Sequence, residues 1–494
     1  MASYTPCESS TTSRARRPSK MQIVNERLGI VPVTPQSLDR FATVLEPDDY
    51  RRLLETAEET KKLLAGRVVW NVNSAARGGG VAEMLGSLLP LAKGAGVDAR
   101  WAVILAAPEF FRLTKRMHND LHGLEQPGEL GLPERVLYEA VLASHAEALE
   151  PMVGPSDIVV LHDPQTAGLI PAIRRTGARV IWRCHIGVDV PNDIVRRAWE
   201  FLLPYVAAAD ACIFSRRQYA WDGIRPDKVV VIPPSIDIYS PKNLALSAEQ
   251  VSAILATAGI TEGHGGDVTF VRLDGSKGRV QRRADLLGTG PVPEGGRIVT
   301  QVSRWDRLKD PFGVMVGFAE HTARREDAHL VIAGPAVNAV SDDPEGYDVV
   351  REVAALRERL PPAARERVHL ACLPMDDVDE NATMVNALQR HASIVVQKSL
   401  AEGFGLTVAE AMWKARAIVA SRVGGLQDQI VDGESGILVD PTDLTAYGRA
   451  LSSLLEDPLR STVLGHAARR RCRDEYLAPR HLVRYVRLIE KLLA

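Results

Sequence analysis

Glu402 and Glu410 stand eight residues apart in the run EGFGLTVAE, and their setting gives them chemistry. Each carboxylate can accept hydrogen bonds from a pair of hydroxyls, one set on a hexose and one on a ribose. Gly403 and Gly405 let backbone approach a ligand closely, with Phe404 and Leu406 beside them. A helix that begins near Leu406 or Thr407 points free N–H groups at a phosphate. Isolated glutamates at this spacing would be solvated charges; the glycines and the helix start make the segment an anion and sugar site. A second segment, Ser303 to Asp310 (SRWDRLKD), supplies Arg304 and Lys309. A guanidinium fork and an ammonium point charge can converge on a diphosphate.

Two further segments could face that site. Gly78, Gly79 and Gly80 follow Arg77 without the G-x-G-x-x-G pattern of dinucleotide folds. They form either a plain strand-to-helix turn or a backbone donor loop over a sugar or phosphate. His185 lies in RCHIGVDVPND at a strand end, with Asp189 and Asn192 close behind, and can be a structural or a cleft histidine. Asp163, in HDPQ, sits in a loop at the same sheet edge. Asp342 and Asp343 lie in SDDPEGYD without further spaced ligands, so a turn is expected there rather than a metal site.

The elements that position these residues follow a strand-then-helix grammar. Short β-rich runs are expected at Arg67 to Asn73, Trp101 to Leu105, Ile158 to Leu161, Arg179 to Arg183, Ala211 to Phe214 and Val229 to Ile232. The grammar resumes at Ile298 to Val302, Leu330 to Ala333, His369 to Leu373 and Ile394 to Gln397. Between strands, apolar residues recur at helical spacing, as in Val81, Met84, Leu85, Leu88, Leu89 and Ala92. Such alternation predicts α/β units with parallel sheets covered on both faces. The sequence therefore divides into a flexible extension over residues 1–40, an N-terminal unit over 41–245 and a C-terminal unit over 297–477. A Gly-rich linker or insertion over 246–296 separates the units. The last helix, 478–494, is expected to pack back on the N-terminal unit.

Bulk properties narrow the function classes. At 494 residues, two large domains are the natural expectation. A formal charge of −2 argues against nucleic acid or an anionic membrane as partner. No apolar run approaches the roughly 20 residues of a membrane span, and the N-terminus lacks a secretory apolar stretch. The cysteines (Cys7, Cys184, Cys212, Cys372, Cys472) are scattered, which suits free thiols in a reducing cytoplasm.

EGFGLTVAEAM together with S-R-x-D-x-x-K resembles the retaining GT-B glycosyltransferases. NVNSAARGGGVAEML, EFFRLTKRMHNDLHG, LHDPQTAGLI, WRCHIGVDVPN, IPPSID and IVDGESGILV are similar, more narrowly, to the trehalose glycosyltransferring synthases. The resemblance implies two Rossmann-like α/β/α domains facing a cleft, and transfer of glucose from a nucleoside-diphosphate glucose to free glucose, giving trehalose. It makes Arg304 and Lys309 a diphosphate clamp, and places Glu402 on the donor hexose with the Gly403 to Leu406 backbone. It puts Glu410 on the ribose, His185 near the transferred glucose, and Gly79 and Gly80 in the cleft wall. Asp163, Asp189 and Asn192 become contacts to the acceptor glucose. No tightly bound cofactor is implied; a divalent cation such as Mg is open as activator, with no site in the sequence, and a homodimer is equally open. The alternatives are a trehalose phosphorylase using glucose 1-phosphate and a non-catalytic sugar-binding protein on the same fold.

Overall fold

A computed structural model of the chain describes residues 21–23, 27–77, 79–124, 127–287, 290–322, 325–336 and 344–494. The first 20 residues, Gly78 and the Asp342–Asp343 pair lie outside the described residues. The apolar runs form two mostly parallel sheets. Edge to edge, the N-terminal sheet runs Gln22–Ile23, Leu28–Val31, Asp98–Ile104, Val68–Asn73, Ile158–His162, Arg179–Cys184, Ala211–Phe214, Val229–Val231. Its central strands are buried along nearly their whole length, as parallel strands between two helical layers must be. Val68–Asn73 pairs in parallel with Asp98–Ile104 on one side and Ile158–His162 on the other, so the strand order reverses beside it.

The C-terminal sheet runs Asp285–Leu287, Val368–Leu373, Ala328–Pro335, Arg297–Val302, Ile394–Gln397, Ala417–Ser421, Ile437–Val439. Arg297–Val302 lies between Ala328–Pro335 and Ile394–Gln397, again with parallel pairing on both sides. The crevice where strand order reverses is where open α/β sheets receive ligands, beyond the carboxyl ends of the strands. The loops after Arg297–Val302 and Ile394–Gln397 border it, and they carry Arg304, Lys309 and Glu402.

Two segments differ from the sequence expectation. The extension read as flexible through residue 40 carries the strand Leu28–Val31, antiparallel to Asp98–Ile104, with Leu28 fully buried. Four residues beside a Pro-rich run give no periodic signal, and only pairing with a distant strand defines them. Residues 246–296, read as linker or insertion, fold against the C-terminal unit. They form a helix Ala248–Thr257, a hairpin of Thr269–Val271 with Lys277–Arg279, and an edge strand Asp285–Leu287 antiparallel to Val368–Leu373. Arg272 makes a two-pronged pair with Asp377 at 2.8 and 2.6 Å, and Arg282 pairs with buried Glu380. Gly275 (φ 83°) sits in the hairpin turn, a conformation that glycine adopts without strain.

The final helix, Ala478–Leu493, returns to the N-terminal unit. Arg183, 1% exposed, donates to His481 Nε2 at 2.8 Å and to the Tyr485 hydroxyl at 2.8 Å. The four cysteines among the described residues are buried free thiols. No described helix is long and apolar enough to cross a membrane.

Candidate active site

The C-terminal wall of the cleft is a set of paired charges on two loops. Asp306 caps its own loop by accepting from Leu308 N–H, and the Leu400 N–H donates to the Leu308 carbonyl at 2.8 Å, tying one loop to the other. Lys309 Nζ lies 2.7 Å from Glu402 Oε2, with the two side chains 17% and 11% exposed. The same carboxylate oxygen accepts from Gln397 Nε2 and Ser399 Oγ, each at 3.2 Å. Glu402 is thus held by three donors. Arg304 is the more exposed cation, 63% by side chain, with its guanidinium 3.4 Å from Asp306. Below them Lys398, 1% exposed by side chain, pairs with Asp310, which caps the helix Pro311–His321 through Gly313 N–H.

Glycines shape the loop that carries Glu402. Gly405 has φ 86°, and a Cβ there would stand 2.4 Å from Leu426. Gly424 has φ 48°, and a Cβ on it would come within 1.7 Å of the Glu402 carbonyl oxygen. The helix Leu406–Trp413 starts at the end of this loop, and Glu410 lies buried on it. Lys242 Nζ is 3.6 Å from Glu410 Oε1 and 3.3 Å from Glu83 Oε2. The Glu410 carboxylate, more than any other neighbour, holds Lys242 above the usual lysine range.

The N-terminal wall is mostly neutral. Gly79 (φ 78°) and Gly80 open the helix Gly79–Gly94, and a Cβ on Gly80 would lie 3.5 Å from Leu406 Cδ1. This glycine loop therefore meets the helix start of the other lobe. His185 follows the strand Arg179–Cys184, and its carbonyl oxygen would lie 3.6 Å from a Cβ on Gly403. Its backbone N–H donates to Asp163 Oδ1 at 2.7 Å, and its Nε2 lies 3.2 Å from His162 Nδ1. Burial pushes the Asp163 carboxyl up to about 7 and His185 well below the ordinary histidine value. The three residues read as acceptor contacts all have partners within the protein. Asp163 holds the His185 backbone. Asp189 pairs with Arg216 and accepts from Gly424 N–H at 2.8 Å. Asn192 caps the helix Asp193–Val206 through Val195 N–H and donates to the Gly123 carbonyl. Among the described residues no group of three or more His, Cys, Asp or Glu could hold a metal ion.

A family model described as trehalose synthase, N-terminal domain, matches residues 71–221, and one described as glycosyl transferases group 1 matches residues 288–471. A trehalose synthase of Rubrobacter xylanophilus is 36% identical over 465 residues, 93% of this chain and 97% of that protein. The chain belongs to the trehalose synthase family of GT-B glycosyltransferases. A trehalose phosphorylase of Grifola frondosa is more distant, 25% identical over 91% of this chain and 62% of its own length. Among solved structures, a UDP-forming α,α-trehalose-phosphate synthase from Burkholderia vietnamiensis overlays with a TM-score of 0.62 at 14% identity, covering 86% of this chain and 98% of that one. That likeness is one of fold: two α/β sheet domains.

Two features of this trehalose synthase family member were not singled out from sequence. The first is a bolt between the lobes. The Tyr219 hydroxyl reaches the Glu402 and Gly403 carbonyls at 2.9 and 2.7 Å, and Arg216 donates to the Gly424 carbonyl at 2.7 Å. Arg216 also stands 2.9 Å from Asp428, so the N-terminal lobe grips the loop that carries Glu402. The second is the last turn of the helix Pro108–Leu121. His118 and its neighbour His122 hold their rings 4.8 Å apart. Burial first, then His122, Lys115 and Arg304, pushes His118 down to about 3. Burial first, then Lys309, lowers His122 to about 4, with Glu402 acting in the opposite sense. The pair therefore stands within reach of the clamp charges. An i, i+4 histidine pair in EFFRLTKRMHNDLHG is a sequence signal that could have pointed here.

Proposed function

We propose that the protein transfers glucose from a nucleoside-diphosphate glucose to free glucose, with retention at the anomeric carbon, forming α,α-trehalose. The observation that carries this reading is the meeting, at the strand-order reversal of the C-terminal sheet, of Arg304, Lys309 and the Glu402 loop with His185 and Gly80 of the opposite lobe. In this reading Arg304, Lys309 and the helix start at Leu406 meet the charge that grows on the leaving diphosphate. Such fixed charges and dipoles need no rearrangement during reaction and are commonly the largest catalytic contribution. Glu402 holds donor hexose hydroxyls, Glu410 the ribose, and Gly79 with Gly80 covers the phosphates.

The acceptor glucose lies between His185 and the His118–His122 pair. The anomeric C–O bond breaks with its electrons going to the departing phosphate, and the carbon becomes oxocarbenium-like. The acceptor oxygen bonds to that carbon on the same face, and its proton passes to a freed phosphate oxygen. This route needs no carboxylate nucleophile, and Asp163, which is half-buried and accepts the His185 N–H, is poorly placed to be one.

The test is product analysis with ADP-, UDP- and GDP-glucose, each with free glucose, and NMR of the anomeric protons. α,α-Trehalose from at least one donor supports the reading. A phosphorylase is the second reading, favoured by the likeness to the Grifola frondosa protein. Trehalose formed only from glucose 1-phosphate would establish it instead. Sugar binding without turnover of any donor would point to the non-catalytic alternative.

A further inference from the structure

His185 sits at the end of a line of buried polar groups that the reaction as described does not use. Asn71, 5% exposed on the strand Val68–Asn73, places its Oδ1 3.2 Å from His162 Nε2. His162, 1% exposed at the end of the neighbouring strand, places its Nδ1 3.2 Å from His185 Nε2. The two imidazole planes are nearly parallel, 11° apart, with centroids separated by 5.5 Å. Asn71 and His162 lie on neighbouring strands of one sheet, and His185 is the first residue after the next strand, Arg179–Cys184, with its backbone N–H held by Asp163.

The direction of this line follows from donor and acceptor arithmetic. An amide oxygen only accepts, so His162 Nε2 carries the proton and donates to Asn71. A neutral imidazole has one N–H, which leaves His162 Nδ1 bare, and it accepts from His185 Nε2–H. His185 Nδ1 is then bare in turn. Burial and the nearby Arg183 cation hold both rings neutral: His162 is pushed down to about 3, and His185 lies well below the ordinary value.

We infer that Asn71 and His162 are positioning residues which fix His185 in its Nε2–H form, leaving Nδ1 as a hydrogen-bond acceptor for a sugar hydroxyl. This rests on the proposed glucosyl transfer, and it gives that step a particular benefit. A neutral acceptor beside the anomeric carbon does not repel the positive charge that develops there, whereas an imidazolium would. The orientation of the ring is set from behind by the sheet, in the way that outer partners of a working histidine choose its tautomer.

Two measurements on the full-length protein test the inference. The first needs no substrate: long-range proton–nitrogen correlation spectra of 15N-histidine-labelled protein, with His185 assigned by its loss in His185→Ala. The expected result is a protonated Nε2 and a bare Nδ1 on His185, and a mixture of the two forms in Asn71→Leu. A proton on Nδ1, or no change in Asn71→Leu, overturns the inference; Asn71→Ser serves if the leucine variant does not fold. The second is a double-mutant cycle on trehalose formation. Asn71→Leu and His162→Phe each lower kcat about tenfold, the worth of one well-placed hydrogen bond, with the KM for nucleotide-glucose unchanged. His162→Gln, whose amide oxygen can accept from His185, recovers most of the loss. In a His185→Ala background none of these changes adds a further loss; multiplicative losses overturn the inference. If the wild type makes no trehalose but the spectra are as expected, the line of hydrogen bonds stands and the glucosyl-transfer reading falls.

Discussion

The two walls of the cleft handle charge in opposite ways. On the C-terminal wall the charged groups are matched: Lys309 with Glu402, Lys398 with Asp310, and Glu410 with Lys242. On the N-terminal wall charge is suppressed: His118, His122, His162 and His185 are all driven below their ordinary values by burial. Beneath them Arg183 spends its hydrogen bonds on a neutral imidazole, a phenol and the Ile232 carbonyl. A wall of paired ions suits a diphosphate, which would offer the cations other anionic partners. A wall of neutral donors and acceptors suits an uncharged sugar and leaves a nascent cationic carbon unopposed. The comparison predicts different failures on the two sides: substitutions on the charged wall damage donor chemistry, and those on the neutral wall damage acceptor use.

The largest effect is expected on the charged wall. Arg304→Ala and Lys309→Ala should each lower kcat/KM by about 10²- to 10³-fold, the cost of removing one preorganised stabiliser of a developing anion. Steady-state rates with the preferred donor measure it. Full activity in either variant would remove that residue from the clamp. Gly424→Ala should follow at about a hundredfold, because its Cβ would lie 1.7 Å from the Glu402 carbonyl oxygen at a φ of 48°. Gly94→Ala is the control: its Cβ would be 1.8 Å from the Gln36 carbonyl oxygen, far from the cleft loops. That variant should lose thermal stability while its folded fraction keeps kcat. Equal kcat losses in both would mean that the Gly424 loop has no special tie to the donor.

The same contrast explains what the sequence made legible. The charged wall is local: Glu402 to Glu410 is one loop and one helix, and Arg304 to Lys309 is one strand end. Spacing along the chain therefore carries their chemistry directly. The parallel strands were legible for a similar reason, since each is a short apolar run buried from end to end. The neutral wall is assembled across distance. Asn71 and His162 lie on two strands and His185 follows the end of a third, and no spacing links them. Asp189 and Asn192 carried the right chemistry for a sugar, yet the fold spends one on Arg216 and Gly424 and the other on a helix cap. The edge strands Leu28–Val31 and Asp285–Leu287 escaped because pairing, not pattern, defines them.

On the neutral wall, His118→Ala and His122→Ala should each raise the KM for glucose about tenfold, with the affinity for nucleoside diphosphate unchanged. Calorimetric titration of the nucleotide, beside glucose-dependent rates, separates the two. Reduced nucleotide affinity would instead place the pair on the donor side. The histidines also set a pH dependence of stability. Their folded values, about 3 and about 4, lie below the unfolded value of 6.5. Between those limits the unfolded chain binds more protons, so stability is complete above about pH 6.5 and is lost as pH falls towards 4. Chemical denaturation from pH 7 to pH 4.5 should show this loss, and a His118→Ala, His122→Ala double variant should lose less. An unchanged slope would mean that neither ring is buried in solution.

The smallest effect is expected where the two walls meet. Lys242 stands between Glu83 of the N-terminal helix Gly79–Gly94 and buried Glu410 of the C-terminal helix Leu406–Trp413. Lys242→Met keeps the side-chain length but removes the cation, so the buried Glu410 carboxylate loses the ammonium that pairs with it. In the proposed reading, a Glu410 carboxylate without that ammonium is held less firmly for the ribose hydroxyls. The loss is moderated by Lys414, buried and held by that burial below the usual lysine range, whose Nζ donates to the Glu410 backbone carbonyl at 3.3 Å and keeps this helix turn in place. Nucleoside diphosphate affinity should therefore fall only about three- to tenfold. Glucose 1-phosphate, which has no ribose, should bind the variant and the wild type alike. An equal loss for both ligands would show that Lys242 acts by holding the lobes together and not through the ribose.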